Sequence, residues 1–197
     1  MRSNSLDILA LDLYGGYPRF FWLRLCKALF LSATNRKAVI LIRLISHFHQ
    51  TKRLRLTKFA AARLRRQFGC FVQPSAVIGR GLKLPHPNGI VIGKDVEIGT
   101  NCTIFQQVTI GGKPSAEGSV LYPVLGNNVT LFAGAKVVGR VSIGDGSIVG
   151  ANAVVLSDVP ERHVAVGVPS VNIAPGYQDR KSRAIDRKSA KPKCELP

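Results

Sequence analysis

The chain has 197 residues and a formal net charge of +17, and 46% of its residues are hydrophobic. That hydrophobic content favours a globular protein over a disordered one, and the length suits one domain with a core of its own. The charge is uneven, because residues 1–70 hold 14 Lys or Arg and 2 Asp or Glu, whereas residues 71–174 hold 7 and 6. The basicity therefore belongs to the flanks, which argues against a main domain that binds nucleic acid.

The cysteines are widely spaced and form no CxxC pair; they are Cys26, Cys70, Cys102 and Cys194. This usage predicts neither a disulfide framework nor a zinc site, and it favours a reducing compartment. No signal-peptide pattern precedes the apolar stretch from Phe20, and Arg24 and Lys27 make that stretch too charged to span a bilayer. We therefore expect a cytoplasmic protein.

Residues 17–68 are predicted to be helical, because apolar residues recur at helical spacing with basic residues between them. The segment Ser32 to Asn35 predicts a break with an N-cap, and Gly69 predicts the C-terminal stop. The pair of helices either packs on the main domain or a partner subunit, or forms a basic amphipathic contact with the inner face of a membrane.

From Ile78 the sequence repeats every six residues. The first position of each block is a large aliphatic residue: Ile78, Leu84, Ile92, Ile98, Ile104, Ile110, Leu125, Leu131, Val137, Ile143, Val149 and Val155. The fifth position is mostly small or β-branched, and glycine often follows the first. Two inward positions per block of six predict a β-solenoid, in which three blocks make one triangular coil.

The register of six skips twice. Two extra residues follow Pro87, and a longer insertion, "KPSAEGSVLY", follows Gly112. Insertions in a solenoid form loops at one edge, where sites are commonly built.

The chain is predicted to have three regions. A basic helical region spans 1–69 and the solenoid spans 70–174. The segment after the repeats is polar and basic and has no apolar period, so we expect a basic disordered tail over 175–197.

The stretch "IGRGLKLPHPNGIVIGKDVEIGTNCTIFQQVTIGG" and the closing "VVLSDVPERHVAVGVPS" resemble serine acetyltransferase-like hexapeptide-repeat O-acetyltransferases, over roughly residues 70–172. The resemblance implies a mainly β fold, a left-handed parallel β-helix, and a homotrimer with acetyl-CoA in the groove between neighbouring solenoids. It implies that His86 removes the proton of the acceptor hydroxyl and that Gly112 donates to the oxyanion. By position in the family, Gly112, Ala133 and Ala151 would line the acetyl-CoA groove, with no metal.

The residues around His86 are consistent with that chemistry. An imidazole can take a proton from an alcohol as the alcohol attacks a thioester. Pro85 and Pro87 restrict the residues before them to extended dihedrals, so His86 lies on a rigid corner. The pair Gly111-Gly112 permits close approach and unusual dihedrals. His47, His49 and His163 are expected to be structural or exposed.

Several positions depart from the serine acetyltransferase pattern. The aspartate-x-histidine pair of those enzymes reads Phe71 and Gln73 here, and the acid before the catalytic histidine reads Pro85. Their "RHP" reads Leu121-Tyr122-Pro123. Because a serine ammonium group would lack its counter-charge, the pattern favours a neutral sugar hydroxyl as acceptor, as in the polysaccharide-biosynthesis members of the family.

Other functions are left open by the sequence. Serine O-acetylation in cysteine biosynthesis remains an alternative if other contacts replace the missing acids, and a non-catalytic solenoid that binds a partner is an alternative of another class. A carbonic anhydrase of the same fold would need three zinc-binding histidines, whereas the solenoid has only His86 and His163. Nucleic-acid binding would depend on the flank charge alone, so no nucleic-acid partner is expected.

Overall fold

The computed structural model describes residues 5–16, 18–20, 23, 25, 27–29, 34–114 and 118–175. Three helices have defined bounds in this part of the chain: α1 (Ser5–Tyr14), α2 (Thr34–Gln50) and α3 (Leu54–Phe68). Helix α3 ends where Gly69 adopts a left-handed conformation with φ of 61°, and the Gly69 N–H donates to the carbonyl of Arg65. The predicted tail beyond residue 175 lies outside the described residues, as does part of the predicted helical region.

The solenoid consists of short strands on three parallel faces. Face 1 contains β1 (Phe71–Val72), β3 (Val91–Ile92), β6 (Thr109–Gly111), β11 (Lys136–Val138) and β14 (Val154–Val155). Face 2 contains β2 (Val77–Ile78), β4 (Glu97–Ile98), β9 (Val124–Leu125) and β12 (Ser142–Ile143). Face 3 contains β5 (Thr103–Ile104), β10 (Thr130–Leu131), β13 (Ile148–Val149) and β15 (Val164–Val166), with β16 (Val171–Ile173) antiparallel at its end.

The period of six places the same position of each coil directly above its predecessor. On face 1, for example, Ile92 pairs with Ile110, which pairs with Val137, which pairs with Val155. Every aliphatic first position predicted from the sequence is at most 6% exposed. The fold prediction is confirmed: the chain is mainly β, a left-handed parallel β-helix with a helical N-terminal region.

The corners of the coils require unusual backbone conformations. Asn101, Asn128 and Asn152 have φ of 57°, 56° and 56°, in the left-handed region that asparagine tolerates better than most residues. The longer insertion after Gly112 forms a hairpin of β7 (Lys113–Pro114) and β8 (Val120–Leu121), which projects from the coil between face 1 and face 2.

A buried ion pair docks the helices on the first coil. The Arg43 guanidinium of α2 donates to the Asp12 carboxylate of α1 at 2.9 and 3.1 Å, and to the carbonyls of Ile78 and Gly79, both at 2.6 Å. Asp12 also accepts from the Gly81 N–H at 2.7 Å. Helix α1 lies within the basic helical region predicted over 1–69 but before the apolar pattern of 17–68, and the sequence analysis did not predict its ion pair with α2. None of the described helices has the length and apolarity needed to span a membrane.

Candidate active site

His86 lies on the loop at the corner where face 3 turns into face 1. This edge, which we call the His86 edge, consists of residues 85–90, 105–108, 132–135 and 150–153 in successive coils. The first of these corners holds the two extra residues seen in the sequence. Because it is longer than the others, the loop can project a side chain that a regular corner would not.

The backbone of the His86 loop is fixed by hydrogen bonds to its neighbours. The Asn88 N–H donates to the His86 carbonyl at 2.8 Å, and the Gln107 N–H of the next coil donates to the Asn88 carbonyl at 2.8 Å. The Gly89 N–H donates to the carbonyl of Phe68 at 3.0 Å, which joins the loop to the end of α3. Gly89 has φ of 63°, so this turn needs its glycine.

The His86 side chain is exposed and lies against an aromatic side chain of the next coil. Its ring centroid is 6.3 Å from that of Phe105 at an interplanar angle of 45°, and Phe105 stacks on Phe132 at 5.2 Å and 16°. Within the described ranges the imidazole makes no hydrogen bond or salt bridge, and its ring contact is with Phe105. In the sequence, Phe105 and Phe132 each occupy the second position of a six-residue block, where glycine is common. That departure from glycine is the sequence feature that could have identified them.

Ala133 and Ala151 lie on the same edge, two and three coils beyond His86. The Asn152 N–H donates to the Ala133 carbonyl at 2.9 Å, which joins these two corners. Ala133 is half-buried and Ala151 is exposed. The structure therefore brings His86, Ala133 and Ala151 into one row along a single edge.

Gly112 lies on the other side of face 1. It directly follows β6, whereas the His86 edge precedes the strands of this face. A Cβ atom on Gly112 would lie 2.5 Å from a methyl of Val120 and 2.7 Å from the ring of Tyr122. Neither Gly111 nor Gly112 has a positive φ, so close approach, and not the unusual dihedrals predicted from the sequence, explains the glycine at 112. A single chain does not bring His86 and Gly112 together.

The side chains at the positions that depart from the family pattern are aromatic or neutral. Phe71 is 51% exposed, with the Arg65 guanidinium 5.4 Å from its ring centroid. Gln73 is exposed, and Tyr122 is partly buried against the core. These side chains pack on the solenoid surface and supply no carboxylate.

The remaining candidate groups differ in their surroundings. His47 is buried, and its Nδ1 has no hydrogen-bond partner among the described residues, whereas the His163 Nδ1 is 2.8 Å from the Glu161 carbonyl oxygen. Cys70 and Cys102 are buried, and burial raises the pKa of both thiols, which makes them poor nucleophiles. The described part of the chain contains no group of three or more His, Cys, Asp or Glu side chains placed to hold a metal.

Comparisons with known proteins identify the relatives of this chain. Residues 122–157 match the bacterial transferase hexapeptide (six repeats) family. The serine acetyltransferase of Buchnera aphidicola subsp. Schizaphis graminum is 39% identical over 128 residues, which cover 65% of this chain and 49% of that protein. The chain thus spans about half the length of this curated relative.

Solved structures give the same relationship. The crystal structure of Neisseria gonorrhoeae serine acetyltransferase is 31% identical with a TM-score of 0.72, and the match covers 88% of this chain and 68% of that one. A serine acetyltransferase in complex with CoA is 29% identical with a TM-score of 0.70, and the match covers 86% of this chain and 70% of that one.

The predicted assignment to polysaccharide biosynthesis is wrong, because the proteins to which this chain is similar are serine acetyltransferases. That assignment depended on the acids missing at Phe71 and Pro85. Local loss of a counter-charge does not decide the acceptor, since cations and anions elsewhere in the fold can contact it. The fold, the repeats and these identities together show that the chain belongs to the serine acetyltransferase-like family of hexapeptide-repeat transferases.

Proposed function

We propose that this protein is an acetyl-CoA-dependent O-acetyltransferase with L-serine as its acceptor. The observation that carries the proposal is the row of His86, Ala133 and Ala151 along one edge of the solenoid. An exposed imidazole at one end of the row suits a general base, and small residues at the corners beyond it leave room for an extended thioester. The solved relative in complex with CoA supports the choice of acyl donor.

In the proposed reaction, His86 accepts the proton of the serine hydroxyl while the hydroxyl oxygen attacks the thioester carbonyl carbon. The carbonyl oxygen becomes an oxyanion, which accepts a hydrogen bond from the backbone N–H of Gly112. When the tetrahedral intermediate collapses, the carbon–sulfur bond breaks and the protonated imidazole returns its proton to the departing thiolate. General-base assistance of this kind contributes roughly 10²–10⁴ in rate.

The position of Gly112 supports a site shared between chains. Because Gly112 lies across face 1 from the His86 edge, the proposed oxyanion donor must come from a neighbouring protomer that packs on that edge. A head-to-tail contact between identical chains forms a ring when the rotation between them closes, and three triangular solenoids suit a homotrimer.

A coupled thiol-release assay tests the proposal. With acetyl-CoA and L-serine, the wild-type protein should release CoA, and His86→Ala should lower kcat by roughly 10²–10⁴. His163→Ala is the matched control, since that histidine lies on the last coil away from His86, and it should retain activity. Activity with another hydroxyl compound and none with L-serine would refute the acceptor. No thiol release with any acceptor would instead favour the binding-scaffold alternative.

We also retain peripheral membrane contact and a cytoplasmic location as predictions. Helix α3 exposes Leu54 and Phe59, which are 62% and 63% exposed, beside the exposed cations Arg55 and Lys58. An exposed apolar and basic helix face suits an anionic bilayer surface. Co-sedimentation with vesicles containing phosphatidylserine, compared with neutral vesicles, checks this; equal recovery with both would contradict it.

A further inference from the structure

A cavity of about 480 Å³ lies between the N-terminal end of α2 and the first coil of the solenoid. Its walls include Asn35, Arg36 and Val39 of α2, and Lys83 and Pro85 of the chain segment that leads to His86. The cavity therefore ends one residue before the proposed general base.

Two of the four polar side chains of this cavity are cationic. Arg36 and Lys83 are both exposed, and across the described ranges neither forms a salt bridge. The acid in the wall is Asp12, but its carboxylate is already bound by the Arg43 guanidinium and by the Gly81 N–H. Two positive charges thus face the cavity without a counter-charge.

The position of the cavity relative to His86 places it on the acceptor side of the site. Lys83 and Pro85 point outward while Leu84, 3% exposed, points into the core, as expected for an extended segment. Three extended residues separate the Cα atoms of Lys83 and His86 by about 10 Å, which long side chains can bridge. The acetyl-CoA thioester is proposed to lie along Ala133 and Ala151, which belong to later coils and extend from His86 in the opposite direction.

We infer that Arg36 and Lys83 bind the carboxylate of the acceptor. This inference rests on the proposed function and adds to it the residues that recognise that carboxylate. The family's arginine of the "RHP" segment is Leu121 here, so an acceptor carboxylate needs another cation. Arginine presents a planar fork that matches a carboxylate, and lysine adds a second charge.

Steady-state kinetics with the variants Arg36→Gln and Lys83→Gln test the assignment. Each should raise the KM for L-serine by about tenfold or more, the effect of losing one charge-assisted hydrogen bond, and leave the KM for acetyl-CoA near wild type. Arg80→Gln is the matched control, since Arg80 is exposed on the first coil but does not line the cavity. L-Serinamide keeps the hydroxyl but lacks the carboxylate, so its KM should be high and insensitive to both variants. Equal KM values for L-serine in variants and wild type would overturn the inference.

A binding experiment separates this inference from the proposed function. Inorganic phosphate should raise the thermal midpoint of the wild type and of Arg80→Gln, but not of the double variant Arg36→Gln/Lys83→Gln. If the wild type turns over no acceptor and phosphate still acts through these two residues, the proposed function fails while the anion site stands. If phosphate stabilises the double variant equally, the site is refuted whatever the activity. If phosphate binds but does not compete with L-serine, the site holds a free anion and the assignment to the acceptor is wrong.

Discussion

At the scale of single residues, the His86 imidazole lies beside an aromatic ring and has no acid next to it. Its backbone is restricted by Pro87, and its ring lies against Phe105, which in turn stacks on Phe132. Packing against Phe105 restricts the orientation of the imidazole ring. A carboxylate would also stabilise the imidazolium that forms in the proposed reaction. In the proposed reaction, the orientation of His86 therefore depends on packing along the edge.

His47 leads to a prediction about pH. Burial lowers the pKa of His47, and the nearby positive charge of Arg53 lowers it further. The unfolded chain then binds a proton at His47 at pH values where the folded chain does not. The free energy of unfolding therefore rises with pH up to about 6.5, the unfolded pKa, and falls as pH drops below it.

The measurement is the thermal midpoint at about pH 7.5 and about pH 5.5, on either side of the unfolded pKa. The wild type should lose more thermal stability on acidification than His47→Leu does. His49→Leu is the matched control, because His49 is exposed at the end of the same helix. Identical losses in wild type and His47→Leu would show that His47 does not couple folding to protonation.

At the scale of elements, the contact between helices and solenoid combines apolar packing with one buried ion pair. The side chains of Arg43 and Asp12 are 3% and 8% exposed. Burial lowers the pKa of Arg43, although Asp12 opposes that shift. Arg43→Met should lower the free energy of unfolding by about 3–5 kcal/mol, because it leaves the Asp12 carboxylate buried without its cation.

Urea denaturation measures this effect. Arg55→Met, at an exposed position of α3, is the control and should change the free energy of unfolding by no more than about 0.5 kcal/mol. A double variant, Asp12→Leu/Arg43→Met, should recover part of the loss, since no charge then remains unpaired. If Arg43→Met and Arg55→Met have equal effects, the ion pair does not hold the helices on the first coil.

The elements also show which structural features a sequence can predict. The inward residues of the coils were predictable, because each block of six residues shows the same pattern and can be recognised from neighbouring residues alone. Asp12 and Arg43 are 31 residues apart and meet the carbonyls of Ile78 and Gly79, and no local pattern encodes such a contact. The assignment to polysaccharide biosynthesis was wrong for a related reason: it depended on the local positions Phe71 and Pro85, whereas the similarity to a serine acetyltransferase extends over 128 residues.

At the scale of the whole molecule, the proposed reaction needs two protomers. His86 and Gly112 lie on opposite sides of face 1, and the hairpin of β7 and β8 next to Gly112 projects from the coil. A neighbouring chain that packs on the His86 edge can bring its own Gly112 to the thioester. Each protomer then contributes a base to one site and an oxyanion donor to the next.

Mixed oligomers provide the corresponding test. Gly112→Ala should be inactive, because the added Cβ would collide with Val120 and Tyr122 and displace the donor N–H. His86→Ala should have only its residual activity, roughly 10²–10⁴-fold below wild type, for lack of the base. When the two variants are co-expressed in equal amounts, about a quarter of the sites should combine a native His86 from one protomer with a native Gly112 from its neighbour, since protomers mix at random around a ring. Thiol release by the mixture well above that of either variant alone is the expected result. Two differently tagged variants purified through both tags confirm that mixed oligomers form, and mixed oligomers without activity would place the base and the donor within one chain.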